Sequence, residues 1–442
     1  MGPQSYIVAK KSSLFGSVEV AGAKNMVTKI MTTALIASKG RLIIRKAPFI
    51  NEISITFDLF DQLGIKHKIN PDKSLEIEAN DFKTSEIMFN NSEGNRISLL
   101  LVAPILARFG KATISKPKGC AIGDRKIDFH TSGLKKFGVS IDEDEKFLYL
   151  KVGKKGLTGT QFKLPFPSVG ATENLIITAV CASGESIIHN CAIEPEIIEL
   201  IKFLQKGGVD IVIHGDRSIY IKGNLNLKLS EVTIIPDRIE TFSYAVAALS
   251  TKGDVFIKGA RQDLMISPLG VLIEMGAGVE IFDNGIRFFY KGDLHPVSVT
   301  TEVYPGFSTD FQQPLAILLS QINGESLIHE TIFENRFQYL KSLQGLIKGK
   351  KGGIEIGTEC PTGDACRFAG LGYNHLAKIR GPISFTSGDV AIPDLRAGFA
   401  IINAGLLSDG IRITCLDTLF RGYENPVLKL QQLGANITLV KV

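Results

Sequence analysis

The sequence predicts an α/β protein of two similar domains, each with helices at its centre and sheets on its outer faces. Two observations predict it. Six apolar, helix-like segments each end in a glycine and run straight into a strand-like stretch, and the closing glycines (Gly40, Gly110, Gly184, Gly253, Gly324 and Gly410) recur about every seventy residues. A second helix then follows each strand and carries its own glycine near the end, as in QLGIK at Gly64, KFGVS at Gly138, GGVDI at Gly208, EMGAG at Gly276 and QLGAN at Gly434. Six such units in 442 residues, three per half, fit two domains better than one.

The six units run in order: MTTALIASKG into RLIIRKA, LLVAPILARFG into KATISKP, LIITAVCASG into ESIIHNC, SYAVAALSTKG into DVFIKGA, PLAILLSQING into ESLIHET, and GFAIINAGLLSDG into IRITCLD. Glycine just past a helix takes the left-handed conformation without a steric penalty, which explains its recurrence. The fifth unit has a degraded second helix around Gly345. The predicted organisation is residues 1–22 as strands that join the second domain, 23–235 as the first domain, and 236–442 as the second. The last interval is longer and places an insertion near 357–381. Cys360, Cys366 and His375 fall in it or at its edge and could be metal ligands, but their spacing matches no common zinc pattern, so the segment reads as a surface loop.

Composition narrows the function. Fifty basic against 45 acidic residues, net charge +5, is too even for a nucleic-acid binder. The longest apolar run, Ile97 to Ala107, is too short to span a bilayer, which needs about 20 residues. The first residues lack a signal pattern, and six cysteines in so large a chain read as reduced thiols, so a cytoplasmic protein is expected.

The start of each unit's first helix is richer in chemistry. Lys24-Asn25, Arg96, Ser168-Val169-Gly170, Asp237-Arg238, Ser308-Thr309-Asp310 and Asp394-Leu395-Arg396 stand there in turn. Asp and Ser are ordinary helix caps. Lys24, Arg96, Arg238 and Arg396 are not, because a cation near the positive end of a helix is unfavourable unless an anion binds beside it. Arg336 and Arg421 follow the fifth and sixth strands, and planar guanidinium suits phosphate and carboxylate. A flexible loop, Lys118-Gly119-Cys120-Ala121-Ile122-Gly123-Asp124-Arg125, sets a thiol among cations that would acidify it.

GAKN (22–25), GCAIG (119–123), SVGATEN (168–174), EPEI (194–197), PDRIET (236–241), TIFENRF (331–337), DLRA (394–397) and RGYE (421–424) occur in one order. Together they resemble the UDP-N-acetylglucosamine 1-carboxyvinyltransferase family of enolpyruvyl transferases, over nearly the whole chain. Lys126 stands where the family usually has proline, Phe420 where it has aspartate before RGYE, and Lys29 where the first helix is usually apolar.

The resemblance implies a two-domain inside-out α/β prism. It implies transfer of the enolpyruvyl group of phosphoenolpyruvate to the 3′-hydroxyl of UDP-N-acetylglucosamine with release of phosphate, the first committed step of peptidoglycan synthesis and so of cell-wall growth, shape and division. The alternative is a paralogue acting on another nucleotide sugar. No cofactor, metal, nucleic acid or membrane partner is implied. By the same resemblance Lys24, Arg125 and Arg421 would grip the phosphoenolpyruvate phosphate, with Arg336 and Arg396 at its carboxylate. Asn25, Asp310 and Ile332 would position the sugar, and Arg96 would support the loop. Arg125, Lys126, Ile127 and Asp128, with Pro167, Ser168, Val169 and Gly170, would hold the uracil and diphosphate. Asp310 would be the general base and Asp394 would aid proton traffic. Cys120 would act as general acid and be alkylated by fosfomycin.

Overall fold

In a computed structural model of the chain, the described residues are 5–88, 96–117, 123, 126–349, 352–363 and 366–441. They divide into two units. One holds the described residues of Met1–Ala21 and Pro236–Val442 together with Gly123; the other holds those of Gly22–Gly119 and Lys126–Ile235.

Six first helices occupy the repeat positions: Lys24–Thr33, Ile97–Phe109 and Val169–Cys181 in one unit, Arg238–Ser250, Gln312–Leu319 and Leu395–Gly405 in the other. They are buried over most of their surface, as helices enclosed by other elements are. Arg238–Ser250 and Gln312–Leu319 are buried at every residue. The second helices are amphipathic instead. Asn51–Leu63 buries Ile53, Thr56, Leu59, Phe60 and Leu63 on one stripe, and Pro195–Lys206 buries Ile197, Leu200, Ile201 and Leu204.

Each unit carries three four-stranded sheets, and all six share one pattern. The strand after a first helix pairs parallel with one neighbour and antiparallel with the other, as Lys111–Ser115 does with Glu86–Ile87 and Phe147–Val152. Strand burial alternates, so one face packs inward and the other meets solvent. Helices are therefore central and sheets outside within each unit. Strand Glu231–Thr233 closes the first repeat's sheet by pairing with Gly40–Arg45. Strand Phe15–Glu19 pairs with Asp254–Lys258, and Tyr6–Lys10 lies between Ile411–Thr414 and Asn436–Val440.

Two expectations need correction. Gly253 is not left-handed; Lys252 takes that conformation at φ 55°, and Gly253 is required because a Cβ there would strike the Leu14 carbonyl. The segment 357–381 is not a surface loop throughout. Its end, Leu376–Gly381, is a strand paired antiparallel with both Gly324–His329 and Gly353–Gly357, because its alternating apolar residues fill the sheet's inner face.

Candidate active site

Three helix starts meet in the unit that contains Pro236–Val442. Asp237 caps Arg238–Ser250 by accepting from the Ile239 and Glu240 amides at 2.8 and 3.1 Å. Asp394 caps Leu395–Gly405 by accepting from the Arg396 and Ala397 amides at 3.0 and 3.1 Å. Asp310 does not cap. Ser308 does so for the 3-10 turn Thr309–Phe311, accepting from the Asp310 amide at 3.3 Å, and this leaves the Asp310 carboxylate available for other partners.

Those partners are arginines. Arg336 Nη2 donates to Asp310 Oδ1 at 2.6 Å, and Arg396 Nε lies 3.6 Å from Oδ2. Arg336 and Arg396 are each only 4% exposed, and the packing around them is aromatic. The Arg396 guanidinium stands 5.6 Å from the centre of the Tyr423 ring, Arg336 lies over Phe333 at 5.1 Å, and Arg238 over Phe311 at 5.3 Å. Arg336 Nη1 donates to Thr309 Oγ1 at 2.7 Å, and Thr309 donates to Glu330 at 2.7 Å. Glu330 also accepts from Thr301 and from the Ile332 and Phe333 amides, which fixes the Ile332 loop.

Electrostatics follow from this packing. Burial raises the Asp310 carboxyl, but the charges of Arg336 and then Arg396 outweigh it and hold it well below the usual carboxylate range. Burial lowers both arginines, and Asp310 more than compensates. The buried Asp394 is pushed up by desolvation. Among the described residues, Arg336 Nε and Arg396 Nη1 are buried and have no hydrogen-bond partner. A guanidinium donor left in that state costs free energy that an incoming anion would return. Arg421 closes the short helix Leu416–Phe420, two residues before Tyr423, whose hydroxyl meets Ser243 Oγ at 3.0 Å.

The other unit gathers a second set. Lys24 and Asn25 open helix Lys24–Thr33. Arg96 is the N-cap of Ile97–Phe109, and its Nη2 donates to the Lys126 carbonyl at 3.2 Å. Ile127 and Asp128 begin helix Asp128–Lys136. Ser168 caps Val169–Cys181, and Val169 and Gly170 form its first turn, with amides still available for an acceptor. Gly170 faces the buried His130 ring of helix Asp128–Lys136, which brings these two segments together. Lys29, anomalous in sequence, lies 3.7 Å from Glu173 of the SVGATEN motif. Burial pushes the Glu173 carboxyl up to about 7, with Lys29 the leading opposing charge and Lys24 a smaller one.

Cys120 and Arg125 lie outside the described residues. Gly123 of the same loop is described, at φ 145°, a conformation that strains residues with a Cβ; a Cβ there would also displace the Glu334 carboxylate. Sequence reasoning passed over Thr309, Glu330 and Tyr423 as site residues. Tyr423 carried a signal as part of RGYE and Thr309 as part of the Ser308-Thr309-Asp310 helix start; Glu330 carried none and is an ordinary residue made important by burial.

The chain matches the family described as EPSP synthase (3-phosphoshikimate 1-carboxyvinyltransferase) over residues 8–430. It is 41% identical to a UDP-N-acetylglucosamine 1-carboxyvinyltransferase of Protochlamydia amoebophila, across 97% of this chain and 92% of that one. It is 37% identical to UDP-N-acetylglucosamine 1-carboxyvinyltransferase 1 of Staphylococcus epidermidis, across 97% of each. Among solved structures, the enolpyruvyl transferase NikO of Streptomyces tendae superimposes with a TM-score of 0.85 at 21% identity, covering 99% of this chain and all of NikO. EPSP synthase of Acinetobacter baumannii does so at 0.70 and 16%, with the same coverage.

Proposed function

Because the chain belongs to the EPSP synthase family, and within it to the UDP-N-acetylglucosamine 1-carboxyvinyltransferases, we propose that it transfers the enolpyruvyl group of phosphoenolpyruvate to the 3′-hydroxyl of UDP-N-acetylglucosamine and releases phosphate. The observation that carries the reading is the pair of buried arginine donors, Arg336 Nε and Arg396 Nη1, left without partners among the described residues beside Asp310. They suit a small anion bearing a carboxylate.

The reaction adds the sugar O–H across the vinyl bond, oxygen to C2 and a proton to C3. It then expels phosphate from C2 and returns the C3 proton, restoring the double bond. Arg336 and Arg396 hold the carboxylate of phosphoenolpyruvate. Lys24, Arg125 and Arg421 hold its phosphate and stabilise the charge that develops on it. Asp310 takes the proton of the sugar hydroxyl, Cys120 serves the methylene, and Asp394 supports proton movement. A carboxylate held by two arginines is a weak base. Substrate raises its basicity by drawing Arg336 and Arg396 onto its own carboxylate.

Asn25 and Ile332 position the sugar. Arg96, Lys126, Ile127 and Asp128, with Ser168 and the Val169 and Gly170 amides, hold the nucleotide. That helix start supplies the diphosphate donors. Fosfomycin alkylates Cys120. The product feeds peptidoglycan assembly in the cytoplasm, and through it cell shape and division. Phosphate release on mixing phosphoenolpyruvate with UDP-N-acetylglucosamine tests the assignment. A folded protein that releases none rejects it, and release with a different nucleotide sugar alone would support the paralogue instead.

A further inference from the structure

A group of four side chains outside the arginine site has no role in that reaction. His329 ends strand Gly324–His329, and His375 immediately precedes its antiparallel neighbour Leu376–Gly381. Cys360 and Cys366 come from the segment that follows strand Gly353–Gly357. One donor atom from each of the four lies within 4.8 Å of the other three. We propose that His329, Cys360, Cys366 and His375 form a tetrahedral site for a zinc-class divalent cation that ties this segment to the sheet.

The geometry is close to what such an ion needs. Bonds of about 2.3 Å to sulfur and 2.0–2.1 Å to nitrogen place tetrahedral ligand atoms roughly 3.3–3.8 Å apart. Cys360 Sγ and His329 Nε2 already stand at 3.5 Å. Small side-chain rotations close the rest.

The hydrogen bonds around the ligands point the same way. His375 Nδ1 sits 2.7 Å from the Tyr373 carbonyl, which can only accept, so Nδ1 carries the proton and Nε2 keeps its lone pair. That Nε2 is buried and has no partner among the described residues. A backbone carbonyl holding the far nitrogen is how metal-binding imidazoles are oriented. Cys366 Sγ accepts from the Phe368 amide at 3.4 Å, which fixes the direction of the sulfur. The turn from Cys360 closes through Gly363, whose amide donates to the Cys360 carbonyl and whose carbonyl accepts from the Cys366 amide.

Charge and ligand type select the ion. Two thiolates and two neutral imidazoles cancel a 2+ charge, so the centre can sit where His375, His329 and Cys366 are 0%, 2% and 5% exposed. Sulfur and imidazole donors suit zinc rather than calcium or magnesium. The closure reaches toward the arginine site. Arg367, next to Cys366, donates to the Ile332 carbonyl at 2.6 Å and lies 3.9 Å from Glu334, two residues before Arg336.

The test is metal content of the reduced protein, followed by anaerobic loading of the chelator-stripped protein with cobalt(II) alone. One cobalt per chain, with tetrahedral ligand-field bands and sulfur-to-cobalt charge transfer, is expected. Cys366→Ser and Cys360→Ser should each weaken binding by about 100-fold or more, since even outer ligand partners are worth 10- to 100-fold. Cys415→Ser, at an exposed cysteine elsewhere in the unit, should leave it unchanged. Circular dichroism establishes that the stripped wild-type chain is folded. A folded, reduced wild-type protein that takes up no cobalt, or shows no charge transfer, overturns the proposal. So does a native Cys360–Cys366 disulfide whose reduction yields no metal binding.

Discussion

Arg336 donates to Asp310 at 2.6 Å while its Nε, equally buried, has no partner among the described residues. The aspartate thus satisfies one edge of the guanidinium and leaves another for a ligand. Asp310 and a substrate carboxylate would compete for the same two arginines.

That competition makes Asp310→Ala informative in two directions. Turnover should fall by about 10²-fold or more, the range general bases contribute. Calorimetry should show UDP-N-acetylglucosamine binding retained, and phosphoenolpyruvate binding no weaker, because a rival anion has gone. Near-normal turnover would place the base elsewhere.

Arg336→Lys keeps the charge and loses the planar fork. The KM for phosphoenolpyruvate should rise about tenfold or more, with the KM for the nucleotide sugar little changed. Arg336→Met should also destabilise the fold by about 3–5 kcal/mol, since Asp310 would lose its closest buried counter-charge. Thermal melts and initial rates read the two effects separately.

Glu173 predicts a pH dependence of stability. Its carboxyl titrates near 7 in the folded chain against an ordinary 4.5. The raised value means its contribution is fully present below about 4.5 and is lost as pH rises toward 7, a swing of roughly 3 kcal/mol. Glu173→Gln should flatten the urea-midpoint profile across that window. An unchanged slope would show that Lys29 neutralises Glu173 more fully than its 3.7 Å separation implies.

Fosfomycin should add one covalent equivalent to the intact mass of the wild-type chain and none to Cys120→Ala. Labelling that persists in the variant would move the reactive thiol to another cysteine.

The repeat was legible because glycine and apolar periodicity report backbone conformation and burial locally. Gly64, Gly138, Gly208, Gly276 and Gly434 all take φ between 75° and 93°, and the degraded fifth copy, Gly345, stays right-handed. Arg396 was readable because a cation at a helix start defies local electrostatics, Arg336 because a guanidinium following the fifth strand suits an anion, and the role of Asp310 only through the family resemblance. Their mutual contacts were not, since Asp310 looks like any helix cap until Ser308 is seen to cap in its place. The His329 contribution to the four-donor group was hidden for a different reason. His329 is 31 residues from Cys360, and only the pairing of Leu376–Gly381 with both Gly324–His329 and Gly353–Gly357 brings it near. Sequence spacing cannot register a ligand set assembled by sheet registry.

Strand Tyr6–Lys10 is synthesised some four hundred residues before both of its neighbours, Ile411–Thr414 and Asn436–Val440. During translation it has two bare edges and no partner while some four hundred residues follow. The unit holding Gly22–Gly119 and Lys126–Ile235 can complete its sheets long before that, because Glu231–Thr233, which closes the sheet of Gly40–Arg45, comes from the same unit. Nascent-chain proteolysis should therefore find protection arriving in two steps, the second only when Asn436–Val440 clears the ribosome.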